Sequence, residues 1–442
     1  INEYFVERKK MSKLAVLGGE KIRKKPFINH AIIGDEERKR VDDVLNNGIL
    51  SGFIANAGEC FLGGEQVKEF ESLVKDYFQI SNAVSVNSAT AALHIAVGAC
   101  GIGPGDEVIV TPYSMCASAT CVIMQNAIPV FVDIEEDTFC INPKKMTEAI
   151  TPRTKAIIIV HLFGRPANMD EITRIARENN LYLIEDCAQS PGASYKGKLV
   201  GTMSDIGIFS LNQNKTITSG EGGFAITNNE NLALRMQLVR NHGEVIVEDK
   251  EIEDIENIVG FNYRLNELEA AISIGQFRRL DSLNDCRIEL AEYLTEKMSQ
   301  FQGLILPKKE DYEKHVYFLY PIRFREEIVG ISRHQFVKAL NAEGIPFAEG
   351  YVRPIYHEPL YQKKIAYGRD GCPFTCKFYN GETDYHKGMC SVTEVMHKKE
   401  LMLTPVCKYP HTKNDIDEVV SVFEKIFENI DELKSMPKNE FK

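Results

Sequence analysis

Between about residues 80 and 230, short runs rich in β-branched residues alternate with stretches of helical periodicity. The runs are AVSVN (83–87), EVIVTP (107–112), IPVFVDI (128–134), KAIIIVHLFG (155–164), LYLIEDCA (181–188), DIGIFSL (205–211) and GFAITN (223–228). KAIIIVHLFG is apolar at nearly every position, so both of its faces need cover, as in a parallel sheet flanked by helices. ATAALHIAVGAC (89–100) and SMCASATCVIMQ (114–125) supply helical patterns between the runs. The alternation predicts an α/β fold whose large domain is a doubly wound, mostly parallel seven-stranded sheet.

Beyond this region, residues 266–300 have the length and periodicity of one long linking helix. YFLYPIRF (317–324), SRHQFVKALNAEG (332–344) and NDIDEVVSVFEKIFENI (414–430) predict a smaller C-terminal α/β domain. The chain therefore divides into an N-terminal extension (1–30), a large domain (31–300) and a small domain (301–442). Within the small domain, residues 361–402 are polar, rich in cysteine and histidine, and without a readable pattern. Residues 1–10, ahead of Met11, read as an upstream extension; the charged start carries no apolar signal region.

A net charge of −11 argues against a nucleic-acid partner or an anionic membrane surface. Eleven scattered cysteines do not form a disulfide framework, and no apolar run is long enough to span a bilayer. The expected setting is reducing and cytoplasmic.

In an open parallel sheet, ligands bind beyond the carboxyl ends of the strands. Ser88, Ala89 and Thr90 follow the first run and open a helix, offering amides, a hydroxyl and a helix dipole to an anion such as phosphate. The plain alternative is a helix cap. Asp186 ends LYLIED, with Gln189 one helical turn later. An acid hemmed in by apolar residues needs a cation or donors; a protonated heterocyclic nitrogen would serve, and so would a cap. Ser210 ends IGIFS, and Lys215 lies among amides and hydroxyls in FSLNQNKTITSGEGG. A desolvated lysine can remain a free amine and capture an aldehyde. A phosphate anchor, a strand-end acid and an isolated lysine are together the supports that pyridoxal 5'-phosphate requires.

NSATAALH (87–94), GIGPGDEVIVTP (101–112), ITPRTKAIIIVHLFGRPANMDEI (150–172), IEDCAQSPGA (184–193), SLNQNKTITSGEGG and GFNYRLNELEAA stand in one collinear order. On these motifs the sequence resembles the DegT/DnrJ/EryC1/StrS family of sugar aminotransferases. The resemblance implies pyridoxal phosphate on the aspartate-aminotransferase type of fold (fold type I). It makes Lys215 the lysine that holds the cofactor aldehyde as a Schiff base and carries protons. Asp186 would then pair with the pyridine nitrogen, and Gln189 would approach the ring hydroxyl. Ser210, Ala89 and Thr90 would hold the phosphate. Asn262 of GFNYRL would reach the phosphate of a neighbouring subunit, so a homodimer with shared sites is implied. Family members with histidine in place of this lysine are dehydratases, and Lys215 favours amino transfer.

Departures from the family pattern stand beside the matches. The ring-covering aromatic is matched by Cys116 in TPYSMCASAT, so the stacking falls to a thiol or to Tyr113. Phe318 stands where some relatives have histidine. His161 and Arg165 follow a strand and are expected on the ligand side; Arg165 is a candidate for an anionic substrate, with an ion pair as the alternative. Tyr351, Arg353 and Tyr356 fall where relatives contact their sugar. Cys372, Cys376, His386, Cys390, His397 and Cys407 fit no common zinc spacing, so no metal is expected; they read as free thiols in an insertion that could equally cover the active site. The expected reaction moves an amino group from glutamate to a keto sugar, nucleotide-linked. The alternatives are a keto-cyclitol acceptor and, in a different class, a non-catalytic cofactor-binding regulator.

Overall fold

A computed structural model describes residues 12–435; the extension read at residues 1–10 lies outside the described residues. The large sheet contains β1 (Asn82–Val86), β2 (Glu107–Val110), β3 (Ile128–Phe131), β4 (Thr154–Val160), β5 (Tyr182–Asp186), β6 (Ile206–Ser210) and β7 (Gly223–Thr227). Their spatial order is β1-β7-β6-β5-β4-β2-β3. All neighbouring pairs are parallel except those of β7, which runs antiparallel to both β1 and β6. No helix lies between β6 and β7, so the chain turns back instead of crossing over, as a parallel connection would require.

The sheet buries both faces, as its apolar runs require. Ala156 and Ile158 of β4 pack with α3 (Ala89–Ala99), α4 (Ala117–Met124) and α7 (Glu230–Arg240). Ile157 and Ile159 face the opposite way, packing with Met169, Ile172 and Ile175 of α6 (Met169–Glu178). Phe209 and Phe224 pack beneath α2 (Glu65–Phe78) and α8 (Glu267–Arg278), stacked with centroids 4.7 Å apart; α1 (Asp35–Asn47) lies against α8, and α5 (Pro143–Glu148) against α6.

The expected linking helix is two helices. α8 ends at Arg278, Arg279 takes φ −100° and ψ 1°, and α9 runs Leu280–Met298. The break separates two jobs: Ala270, Ile274 and Phe277 serve the sheet core, whereas Leu290, Leu294 and Met298 serve the small-lobe core. That second core lies around β8 (Leu304–Ile305), β9 (Tyr320–Phe324), β10 (Ala348–Glu349) and β11 (Leu401–Thr404), an antiparallel sheet of order β8-β9-β11-β10. α10 (Arg333–Ala342) and α11 (Lys413–Glu428) cover it. The described part of the 1–30 stretch joins this lobe: Leu14 is buried there, and Arg23 pairs with Asp415 and Glu418 at 3.0 and 2.7 Å.

The cysteine- and histidine-bearing segment packs on the sheet edge. Tyr361 and Tyr385 crowd Phe131 of edge strand β3, with centroids 5.2 and 5.5 Å away. Tyr385 Oη donates to the Pro129 carbonyl and Tyr379 Oη to Glu107, each at 2.9 Å. Covering an edge strand removes a surface open to unwanted pairing. Among the described residues, no helix is long and apolar enough to cross a membrane.

Candidate active site

The strand register assembles the site. Val160, Asp186 and Ile208 stand abreast in β4, β5 and β6. Gly223 at the start of β7 lies between Val86 and Ser210. An antiparallel strand thus delivers its N-terminal turn to the carboxyl ends of its neighbours. A cavity of about 590 Å³ opens there, lined by Ser88, Ala89, Thr90, Asp186, Ser210 and Lys215 among others.

Ser88 caps α3, its Oγ accepting from the Ala91 amide at 3.1 Å. First-turn amides have no intrahelical acceptor and carry the positive end of the dipole. Gly223 allows the close approach behind them, since a Cβ there would meet the Ala89 nitrogen at 2.6 Å. Ser210 is buried beside this helix start. Thr216 Oγ1, also on a residue of the cavity wall, is buried without a hydrogen-bond partner.

Asp186 is 4% exposed. Its Oδ2 accepts from Ser118 Oγ at 2.8 Å and its Oδ1 from the Ala188 amide at 3.1 Å. Burial pushes this carboxyl up, opposed by those two donors and by the charge of Lys215. The two donors fix its orientation and leave lone pairs for a further donor.

The turn carrying Lys215 is tied by its own hydroxyls. Thr218 Oγ1 donates to the Leu211 carbonyl and accepts from the Gly220 amide, both at 2.9 Å. Gly220 (φ 94°) and Gly222 (φ 142°) occupy backbone regions that side chains disfavour. Lys215 Nζ lies 4.9 Å from the centroid of the Phe318 ring. Among the described residues it has no ion-pair or hydrogen-bond partner. Burial lowers its pKa, and Asp186 opposes that shift.

An unpartnered amine, an oriented buried carboxylate, a helix N-terminus with Ser210 and an unsatisfied hydroxyl are the donor and acceptor set for a phosphorylated aldehyde with a basic ring nitrogen. The residues fit that group.

Gln189, Cys116, Asn262, Arg165 and Arg353 do not line the cavity. Gln189 accepts from the Phe163 amide at 2.9 Å and donates to Tyr351 Oη at 3.0 Å. Tyr351 itself lines the cavity, its amide donating to the fully buried Tyr113 at 2.8 Å. Burial pushes the Tyr351 hydroxyl up to about 12. Cys116 is exposed and absent from the wall, where its neighbours Met115 and Ala117 stand instead. Asn262 is exposed, bridged through its backbone to Asn241, and does not line this chain's cavity.

Arg165, expected on the ligand side, is held away by Glu313 at 2.8 Å. Arg353 is exposed beside Glu358, and Tyr356 donates to Glu394 at 2.7 Å. His161 binds Glu185 through Nε2 at 2.9 Å, and its Nδ1 accepts from the Ala167 amide. With Cys187 these two are the one candidate metal cluster among the described residues. Glu185 also accepts from the Gly201 and Met203 amides, so the group is a satisfied core network. The cavity wall includes no residue from 361–402, so within one chain that segment does not roof it. Sequence reasoning missed Ser118, Met115, Arg287 and Lys408. Ser118 carried the faint signal of a hydroxyl in an apolar helix; nothing marked the other three.

The DegT/DnrJ/EryC1/StrS aminotransferase family model matches residues 33–421. The L-glutamine:scyllo-inosose aminotransferase of Streptomyces griseus is 31% identical, over 96% of this chain and 99% of its own. The GDP-perosamine synthase of Caulobacter vibrioides is 39% identical, over 66% of this chain and 77% of its own. The structure of an aminotransferase from Psychrobacter cryohalolentis superposes with a TM-score of 0.78 at 27% identity, covering 92% of this chain and all of the other.

Proposed function

The chain belongs to the DegT/DnrJ/EryC1/StrS aminotransferase family, and from that premise we propose the substrates and the residue roles of a pyridoxal-phosphate-dependent sugar aminotransferase. The amino donor is glutamate and the acceptor a keto sugar carried on a nucleotide. The single observation that carries the reading is the unpartnered, desolvated amine of Lys215 in the wall that also holds Asp186 and the start of α3.

Bound pyridoxal phosphate supplies an aldehyde and a ring that accepts electrons. Lys215 would hold that aldehyde covalently and, once the substrate amine displaces it, its free amine would carry the proton between the substrate carbon and the cofactor's aldehyde carbon in each half-reaction. Asp186, oriented by Ser118 and Ala188, keeps the ring nitrogen protonated. Ala89, Thr90 and Ser210 hold the phosphate, and the unpartnered Thr216 hydroxyl supports them. Met115, which lines the cavity where Cys116 does not, would cover the ring face. Gln189 acts through Tyr351, to which it is bonded.

Asn262 completes the phosphate site of a second copy. Leu45, Ile49, Leu50 and Ile54 are 55, 58, 50 and 52% exposed, an apolar surface of the kind that marks an interface. Asn241, bridged to Asn262, donates to the carbonyls of Ile54 and Phe61, which puts Asn262 beside that surface.

Lys215→Ala is expected to abolish turnover together with the visible absorbance of the bound cofactor. Retention of both would overturn the assignment. A second reading, with a keto-cyclitol acceptor, is favoured by the full-length match to the scyllo-inosose enzyme, whose name also makes glutamine an alternative donor. Assaying glutamate and glutamine against nucleotide-linked keto sugars and keto-inositols separates the two.

A further inference from the structure

Two cations line the same cavity without any acid to neutralise them: Arg287 of α9, and Lys408 in the loop after β11. Arg287 is 6% exposed, and its Nη1 reaches only the carbonyls of Tyr317 and Phe318, at 3.4 and 3.3 Å. Lys408 Nζ donates to Asn29 Oδ1 at 2.9 Å. Among the described residues neither takes part in an ion pair. Arg279 in the same wall is different, since Glu37 pairs with it.

The acids of the wall are committed elsewhere. Asp186 accepts from Ser118 and Ala188, and both oxygens of Glu221 accept from Asn212. Lys408 also feels the Arg287 charge. Burial pushes the guanidinium down to about 10, and burial with the Arg287 charge pushes Lys408 down to about 8.

Two like charges, Arg287 buried and Lys408 partly buried, with no counter-charge, cost the fold stability. A chain of net charge −11 has no compositional reason to place them together. A purely structural role for Arg287, tying the 317–318 backbone to α9, would use one nitrogen and would leave Lys408 unexplained. An anion that arrives with the substrate accounts for both.

Building on the aminotransferase reading, we propose that Arg287 and Lys408 form an oxyanion subsite for an acidic group of a substrate. It is separate from the phosphate anchor at Ala89, Thr90 and Ser210. The group is either the carboxylate of the amino donor or the phosphate of the acceptor's carrier; both are planar or tetrahedral oxyanions that a guanidinium and an ammonium grip by charge-assisted hydrogen bonds.

The test titrates cofactor-loaded protein calorimetrically with glutarate, a dicarboxylate lacking the amine, and with inorganic pyrophosphate. Lys408→Gln, which can keep a hydrogen bond to Asn29, should weaken one probe by roughly tenfold or more, and Lys408→Arg should restore it. Loss confined to glutarate assigns the donor carboxylate; loss confined to pyrophosphate assigns the carrier. Arg287→Gln should show the same selectivity, and if that buried variant fails to fold, Lys408→Gln decides alone. Native-like binding of both probes by Lys408→Gln overturns the subsite. Visible absorbance recorded on the same samples keeps the two readings apart. Its absence from the native protein sinks the aminotransferase reading, whatever the probes do.

Discussion

Ser118 shows how one hydroxyl sets the state of the residue it touches. Its bond to Asp186 Oδ2 is one of the interactions that favour the charged carboxyl against a burial that favours the protonated one. Removing the hydroxyl raises the carboxyl's pKa further, and a protonated Asp186 cannot hold a proton on a ring nitrogen. Ser118→Ala is therefore expected to lower kcat about tenfold or more, the worth of a hydrogen bond to a charged group. The KM for the amino donor should stay near native. Steady-state kinetics on the variant check this, and an unchanged kcat would remove Ser118 from the machinery. At this scale the sequence was readable where a residue ends a strand, as Asp186 and Ser210 do, or sits alone in a turn, as Lys215 does. Ser118 was not readable, because its partner is 68 residues away and only the phase of α4 brings the two together. Met115 rather than Cys116 lines the cavity for a similar reason: a one-residue step at a helix start decides which side chain stands in the wall.

Among elements, the strands of the large sheet were legible because burial on both faces leaves an unmistakable apolar run. The turning-back of β7 was not, although its consequence for the site is large: it places Gly223 against Ala89. The break at Arg279 escaped the pattern too, since α8 is buried on nearly every side, its apolar residues run on into those of α9, and only tertiary packing assigns the two sets to different cores. Residues 361–402 resisted reading because their anchors are tyrosines at irregular spacing, Tyr361 and Tyr385 fitted to edge strand β3 and Tyr379 to the start of β2. Tyr385→Phe deletes the hydrogen bond to Pro129 while keeping the ring against Phe131, so thermal or urea unfolding should show a loss of about 1 kcal/mol. The first half-reaction with glutamate should run at the native rate, because this segment contributes nothing to the cavity wall. A variant of native stability but altered half-reaction would mean that the segment reaches the site after all.

At the scale of the whole molecule the question is whether a single chain makes a complete site. Asn262 is exposed and lies outside the cavity of its own chain, beside the apolar stretch 45–54. In a two-fold dimer that buries this patch, the patch would face itself and each chain would both lend and borrow. Two inactive variants then complement one another: a chain carrying Lys215→Ala still lends Asn262, and a chain carrying Asn262→Ala still owns Lys215. Each mixed dimer contains one site with both residues and one with neither. After unfolding and refolding the two variants together, random pairing makes about half of the dimers mixed, so about a quarter of the native activity should return. Equal amounts of each variant refolded separately and then pooled provide the control. Sedimentation must show dimers in both samples. Recovery in the co-refolded sample alone would establish a site built from two chains; dimers that recover nothing would confine each site to one.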